Sequence, residues 1–192
     1  MTGIILAGGK NSRISMTKAF IQLGEQTIIE RTVDICKTLF NEVIIVTNHF
    51  DDYLYLGTKL VQDAIPNTGP LGGLYSGLMA STNLYNFVVA CDMPFINPAI
   101  IRHLQLYTQD EHYDVILPEY NGFTEPLFAF YSKNCINTIE VFLNQNRLKI
   151  RTFFTNIKVK EVKCDKFSAI EKSFFNINTR EDLQLARNLI CG

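Results

Sequence analysis

The chain has 192 residues, 47% of them hydrophobic and 19% charged, with a formal net charge of −1. That length buries a substantial core in a single domain without disulfide or metal staples, and the balance is globular rather than disordered. A charge this close to neutral argues against nucleic acid as a partner, because a phosphate backbone is met by a basic surface.

Five cysteines (Cys36, Cys91, Cys135, Cys164, Cys191) form no C-x-x-C pair, and His49, His103 and His112 do not cluster with them. They read as buried or idle thiols of a reducing compartment rather than as a zinc site or disulfides. The first apolar run ends at Ala7, too early for a signal peptide, and no apolar stretch approaches membrane-spanning length. The expectation is a soluble cytoplasmic protein with no membrane partner.

In chain order, residues 4–6 read as the first strand. Residues 30–39 place Val33, Ile35, Cys36 and Leu39 on one helical face. Val43, Ile44, Ile45 and Val46 make a near-continuous β-branched run, a strand buried on both faces. Residues 59–61 form a short third strand leading to Asp63, and residues 70–80 a glycine-bearing helix entered through Pro70. Residues 87–91 are a strand running into Asp92-Met93-Pro94; Asn97-Pro98 then opens a helix with Ile100, Ile101 and Leu104 inward. Strands at 114–117 and 127–131 are separated by an Asn121-Gly122 turn. A helix at 136–144, a strand at 159–162 and a helix at 181–190, capped by Thr179 with Asp182 three residues on, complete the chain. This alternation predicts an α/β fold, a Rossmann-like αβα sandwich of three layers around a mostly parallel sheet. Ligands of such sheets lie beyond the carboxyl ends of the strands, where Gly8-Gly9, Asn48, Asp63 and Asp92 fall.

The opening strand runs straight into Gly8-Gly9, with Arg13 and Lys18 following. Glycines there let backbone N–H groups approach a phosphate, and the two cations supply the charge a polyphosphate needs. It is not a P-loop, since Ile4 occupies the position of the first glycine and Asn11 follows Lys10. Nor is it the dinucleotide fingerprint, because Gly8 and Gly9 are adjacent and Ser12 fills the late position. The role of Lys10 stays open.

Asp92 either closes a turn or, opposite a phosphate loop, serves as the carboxylate ligand of Mg²⁺. Asp63 either caps the turn before Pro66 or accepts N–H donors from a purine edge or a ribose hydroxyl. Gly69, Pro70, Leu71, Gly72 and Gly73 either start a tightly packed helix or bring backbone close to a base or ribose. Asn176 and Asn178 stand two apart and so share a face if the segment is extended. They bind a second, phosphate-bearing substrate, complete a metal shell, or simply close a turn. Glu125-Pro126 before a strand is undecided on the same grounds. No Ser-His-Asp, Cys-His or metal-histidine spacing occurs, so the chemistry is electrostatic positioning of phosphates.

These residues, in this order, resemble the molybdenum cofactor guanylyltransferases, nucleotidyltransferases of the nucleotide-diphospho-sugar transferase, or glycosyltransferase-A-like, fold. The carrying segments are Leu6-Ala7-Gly8-Gly9 with Ser12-Arg13 and Lys18, Gly69-Pro70-Leu71-Gly72-Gly73, Asp92-Met93-Pro94, Glu125-Pro126-Leu127 and Asn176-Ile177-Asn178-Thr179. The resemblance implies GMP transfer from GTP to the phosphate of molybdenum-bearing molybdopterin, with release of pyrophosphate. It further implies that Leu6, Ala7, Gly8, Lys18, Asp63 and Asp92 contact GTP, that Asp92 also holds Mg²⁺, and that Asn176 and Asn178 face the pterin. Transient contact with molybdenum-insertion proteins or molybdoenzyme chaperones follows from the same resemblance. The family's Met-Gly after the arginine is Ile14-Ser15 here, which bears on the loop path because glycine permits positive φ, while the spacing from Arg13 to Lys18 is kept. The competing readings are a CTP-dependent or sugar-phosphate nucleotidyltransferase of this fold, and a non-catalytic nucleotide-binding regulator.

Overall fold

A computed structural model of the chain describes residues 1–8, 18–110, 112–168 and 170–191. In chain order the elements are β1 (Thr2–Leu6), β2 (Gln22–Leu23), β3 (Gln26–Thr27), α1 (Ile28–Leu39), β4 (Glu42–Val46), β5 (Lys59–Val61), α2 (Gly69–Ala80) and β6 (Tyr85–Ala90). They continue with α3 (Pro98–Gln105), β7 (Val115–Tyr120), β8 (Phe123–Thr124), β9 (Phe128–Ser132), α4 (Cys135–Asn144), β10 (Val159–Lys163), α5 (Ile170–Ser173) and α6 (Arg180–Cys191). Short 3-10 turns fill several of the connections.

The main sheet runs β10-β7-β9-β6-β1-β4-β5, with β8 attached to β7. The pairs β6–β1, β1–β4, β4–β5 and β7–β10 are parallel, and β9 lies antiparallel between β6 and β7. The reversal follows from connection length: a parallel return needs a crossover of about a dozen residues, and the link from β7 to β9 is shorter than that.

Strand alternation divides the core between the two faces of the sheet. Ile5, Val43, Ile45, Phe87, Val89, Ile116, Phe128 and Phe130 pack on one face with Val33 and Cys36 of α1 and Ile100, Ile101 and Leu104 of α3. Ile4, Leu6, Ile44, Val46, Val88, Val115, Leu117, Ala129 and Tyr131 pack on the other with Leu71, Leu74 and Leu78 of α2 and Ile139, Phe142 and Leu143 of α4. The mostly parallel αβα architecture expected from the alternation of elements is therefore present.

Two local features differ from the sequence reading. The Asn121-Gly122 turn has both residues at positive φ, 49° and 79°, but it closes on the two-residue β8 rather than on the strand at 128–132. Pro126 lacks an N–H and so cannot extend the β8 ladder; the chain leaves β7 and re-enters the sheet as β9. The hairpin β2–β3 was not foreseen, because two-residue strands carry no readable alternation. It matters nonetheless: Ile21, Leu23 and Ile28 join Ile177 and Ala186 in a third, smaller cluster. That cluster ties the segment after the glycine strand to the C-terminal segment.

Candidate active site

Four neighbouring strands end at one edge of the sheet, and each hands over to a residue singled out above: β6 to Asp92, β1 to Gly8, β4 to Asn48 and β5 to Asp63. Parallel pairing is what puts four carboxyl ends side by side. At about 4.8 Å per strand the row from β6 to β5 covers roughly 14 Å, a span suited to an extended nucleotide.

Gly8 is exposed, with no atom of the described residues within 4 Å of where a Cβ would stand. Leu6 and Ala7 are buried, and their polar groups are engaged within the fold. Leu6 O accepts from Cys91 N at 3.1 Å, Ala7 N donates to Val46 O at 2.9 Å, and the Tyr53 hydroxyl donates to Ala7 O at 3.5 Å. These two residues hold Gly8 in place, and the open backbone begins at Gly8. Gly9 and Arg13 lie outside the described residues.

Lys18 Nζ donates to Asp92 Oδ2 at 3.0 Å and to Asn178 Oδ1 at 2.5 Å. The Lys18 and Asp92 side chains are only 16% and 22% exposed, so the pair works in a partly desolvated setting where charges act more strongly than in bulk water. Three segments far apart in sequence thus converge on one ammonium. The backbone makes the same join: Ile177 N donates to Asp92 O at 3.1 Å, while the Ile177 side chain is fully buried.

The two asparagines make different contacts. Asn178 faces Lys18, and its backbone N–H donates to Asp182 Oδ2 at 2.9 Å. Asn176 Nδ2 instead turns back to Phe174 O at 3.2 Å. Thr179 N also donates to Asp182 Oδ2, at 2.8 Å, and Asp182 N returns to Thr179 Oγ1 at 3.1 Å. This reciprocal cap opens α6 and holds Asn178 in register with Lys18. The backbone N–H of Asn178 is the leading cause that lowers the Asp182 carboxyl below its usual range.

On the other side, Asp63 N is held by Asn48 Oδ1 at 3.3 Å, and Asp63 Oδ1 accepts from Ile65 N at 3.3 Å and Ser76 Oγ at 3.4 Å. Burial raises its carboxyl above the ordinary value, against the pull of those two donors. The first turn of α2 stands beside it. Gly69 sits at φ +63°, a left-handed conformation that favours glycine. A Cβ on Gly72 would meet Thr68 Oγ1 at 1.8 Å and Asp63 Oδ1 at 3.0 Å. Gly69 and Pro70 are exposed, whereas the Leu71 side chain packs in the core and only its backbone is left to meet a ligand.

Glu125, which the sequence left undecided, belongs to this edge. Its Oε1 accepts from Leu127 N at 3.0 Å, and Leu127 O accepts from Ala90 N at 3.1 Å, just before Asp92. Burial raises the Glu125 carboxyl; the Leu127 N–H and the charge of Arg151 pull it down, and the Asp92 carboxylate pushes it up again. Arg151 was missed altogether. Its guanidinium donates to Thr124 Oγ1 and to Thr124 O, a pairing that only the tertiary fold creates.

Among the described residues no group of three or more His, Cys, Asp or Glu side chains is placed to hold a metal ion. The four described cysteine thiols are free, and burial pushes that of Cys36 up to about 12. None of the described helices is long and apolar enough to cross a membrane.

The family model of the MobA-like NTP transferase domain matches residues 3–161. The chain belongs to this family. Among MobA-like relatives, a "Molybdenum cofactor guanylyltransferase" of Desulfosudis oleivorans is 37% identical over 99% of this chain and 96% of its own length. A "Probable molybdenum cofactor guanylyltransferase" of Pelotomaculum thermopropionicum is 40% identical over 97% of this chain and 91% of its own. The crystal structure of molybdopterin-guanine dinucleotide biosynthesis protein A from Archaeoglobus fulgidus superposes with a TM-score of 0.85 at 26% identity, covering 98% of each chain. A cytidylyltransferase of Thermus thermophilus, at 14% identity and a TM-score of 0.72, shares the fold.

Proposed function

We propose that this MobA-like protein transfers GMP from GTP to the terminal phosphate of molybdopterin carrying molybdenum, forming molybdopterin guanine dinucleotide and releasing pyrophosphate. The observation that carries the reading is the Lys18 ammonium between Asp92 Oδ2 and Asn178 Oδ1 at the mouth of the glycine strand. The acceptor phosphate is already ionised, so no protein base is needed. Its oxygen attacks the α-phosphorus of GTP; a new P–O bond forms as the bond to the β-phosphate bridge breaks, and pyrophosphate leaves. Lys18 moves from Asp92 onto the phosphates and neutralises the charge that develops on the leaving group. Asp63 faces the N–H donors of guanine from the β5 side, with exposed Gly69 and Pro70 leaving room for the base and Gly72 letting Thr68 and Asp63 pack against α2. Arg151 supplies a cation on the opposite side, where Asn176 and Asn178 meet the acceptor.

The residues also fit Mg²⁺. A cation already stands between two oxygen donors, and a hard ion takes one or two carboxylates plus phosphate oxygens rather than a larger protein cage. Asp92 would hold it, aided by Asn178; when bound it supplies further charge neutralisation to the triphosphate. Free, buried thiols support a reducing cytoplasm as the setting. Transient contact with molybdenum-insertion proteins or molybdoenzyme chaperones belongs to the same reading, since the product passes on to an enzyme. Calorimetric titration with each ribonucleoside triphosphate and Mg²⁺, beside an Asp92→Ala control, tests it. Selective GTP binding that weakens in the variant is expected. Preference for CTP moves the reaction to cytidylyl transfer, and absence of triphosphate binding by folded protein refutes the enzyme.

A further inference from the structure

Glu125 is the one carboxylate at this edge to which the guanylyl-transfer reading gives no task. The β6–β9 register pairs Val89 with Phe128, and Ala90 N donates to Leu127 O. Glu125 opens the turn just before β9, closed by Phe128 N donating to Glu125 O at 3.1 Å, so it lies on the side of β6 opposite β1, β4 and β5, and the charge of Asp92 reaches its carboxyl. The residues given to the nucleotide beyond Asp92, Gly8 and Asp63, follow strands on the other side of it. Glu125 therefore stands on the acceptor's side of Asp92.

Only one of its oxygens is used. Oε1 takes the Leu127 N–H, and Oε2 receives no hydrogen bond from the described residues. The carboxylate is half-buried, with Oε1 fixed by the Leu127 N–H and Oε2 left for a ligand to reach. An ionised carboxylate is acceptor-only and repels a phosphate, so its partner must bring N–H or O–H donors. The phosphate itself has other company: Lys18 beside Asp92, and Arg151, whose charge reaches Glu125. A reduced pterin presents N–H donors along its fused rings, next to the phosphate arm that has to reach Asp92.

We propose that Glu125 reads the ring of the acceptor: Oε2 accepts N–H donors of the phosphate-bearing pterin and sets its phosphate in line with the α-phosphorus. This makes Glu125 a specificity-determining residue, and the proposal rests on the guanylyl-transfer reading above. A glutamine at this position retains an oxygen for the Leu127 N–H while losing the charge and turning donors toward the ring.

The test compares wild type with Glu125→Gln in calorimetric titrations, with Mg²⁺ and a non-hydrolysable GTP analogue present. The probes are a hydroxymethyl-dihydropterin monophosphate and phenyl phosphate, which carries the same phosphomonoester without ring N–H groups. Mn²⁺ binding, followed by electron paramagnetic resonance, is measured alongside. The variant is expected to bind the pterin phosphate about 10- to 100-fold more weakly, the scale of one charge-assisted hydrogen bond. Phenyl phosphate, the GTP analogue and Mn²⁺ should bind both proteins alike. Equal weakening of both phosphates, or no weakening, overturns the proposal; loss of Mn²⁺ affinity overturns it by making Glu125 a metal ligand. If wild type binds the nucleotide but no pterin phosphate, the acceptor reading falls and Glu125's role with it. If it prefers CTP while the pterin effect persists, only the choice of nucleotide fails.

Discussion

Replacing Lys18 by alanine separates catalysis from folding more cleanly than any other change at this edge. The ammonium bridges Asp92 and Asn178, residues 74 and 160 positions away, so the variant loses both bonds at once. The structural cost is bounded by exposure. Asp92 is 22% exposed, so its carboxylate regains water when the lysine is gone. Its backbone stays fixed by Ile177 N, and Ala19 beside the mutated position remains fully buried. The loss should be near that of a surface-to-intermediate ion pair, about 1 kcal/mol, or roughly 2–4 °C in melting temperature for a chain of this size. The catalytic cost is larger, because a donor aimed at charge developing in the transition state typically contributes ~10²–10³ in rate. Pyrophosphate release with GTP and molybdenum-bearing molybdopterin, measured against calorimetric GTP affinity and thermal unfolding, resolves the two. The expected pattern is a large fall in kcat with a folded, slightly less stable protein. Turnover close to wild type would refute the role given to Lys18, and a melting temperature lower by tens of degrees would make the lysine structural.

Three further expectations follow from the same geometry. Burial raises the Asp63 carboxyl, so the folded state holds its proton more tightly than the unfolded chain. The group's stability contribution therefore falls as pH rises from the ordinary value toward the raised one. GTP affinity should move the opposite way, fading as acidification protonates Asp63 above the usual carboxylate range. Binding isotherms across mildly acidic pH should show this for wild type and not for Asp63→Asn. Gly72→Ala places a Cβ 1.8 Å from Thr68 Oγ1 and should destabilise by about 1–3 kcal/mol while pushing Asp63 aside. Unchanged melting and GTP affinity would argue that the α2 turn accommodates a side chain. Asp182→Ala removes the acceptor for two backbone N–H groups, which for a helix cap costs about 1 kcal/mol. Because Asn178 is freed from Lys18, KM for the pterin should rise more than KM for GTP; equal changes would remove Asn178 from the acceptor side.

Strands and helices with a strong residue pattern were readable without any tertiary contact. The β-branched run at 43–46 can only be a strand buried on both faces, and Ile100, Ile101 and Leu104 all lie fully buried along α3. The carboxyl-end rule then placed Gly8, Asn48, Asp63 and Asp92 on one edge before any coordinates, since parallel strands share a direction. Local signals also sufficed for the cap of Thr179 by Asp182, because capping is a matter of three residues. Contacts between residues distant in sequence set the rest. Lys18 meets Asn178 only because the cluster of Ile21, Leu23, Ile28, Ile177 and Ala186 closes the C-terminal segment over the glycine strand. Arg151 reaches Thr124, and Glu125 comes to the Asp92 side of the sheet, only because β9 is inserted antiparallel between β6 and β7. Periodicity and capping are written along a few neighbouring residues. The pairing of strands is chosen by what the whole sheet can bury, and the electrostatics of the site follow from that choice.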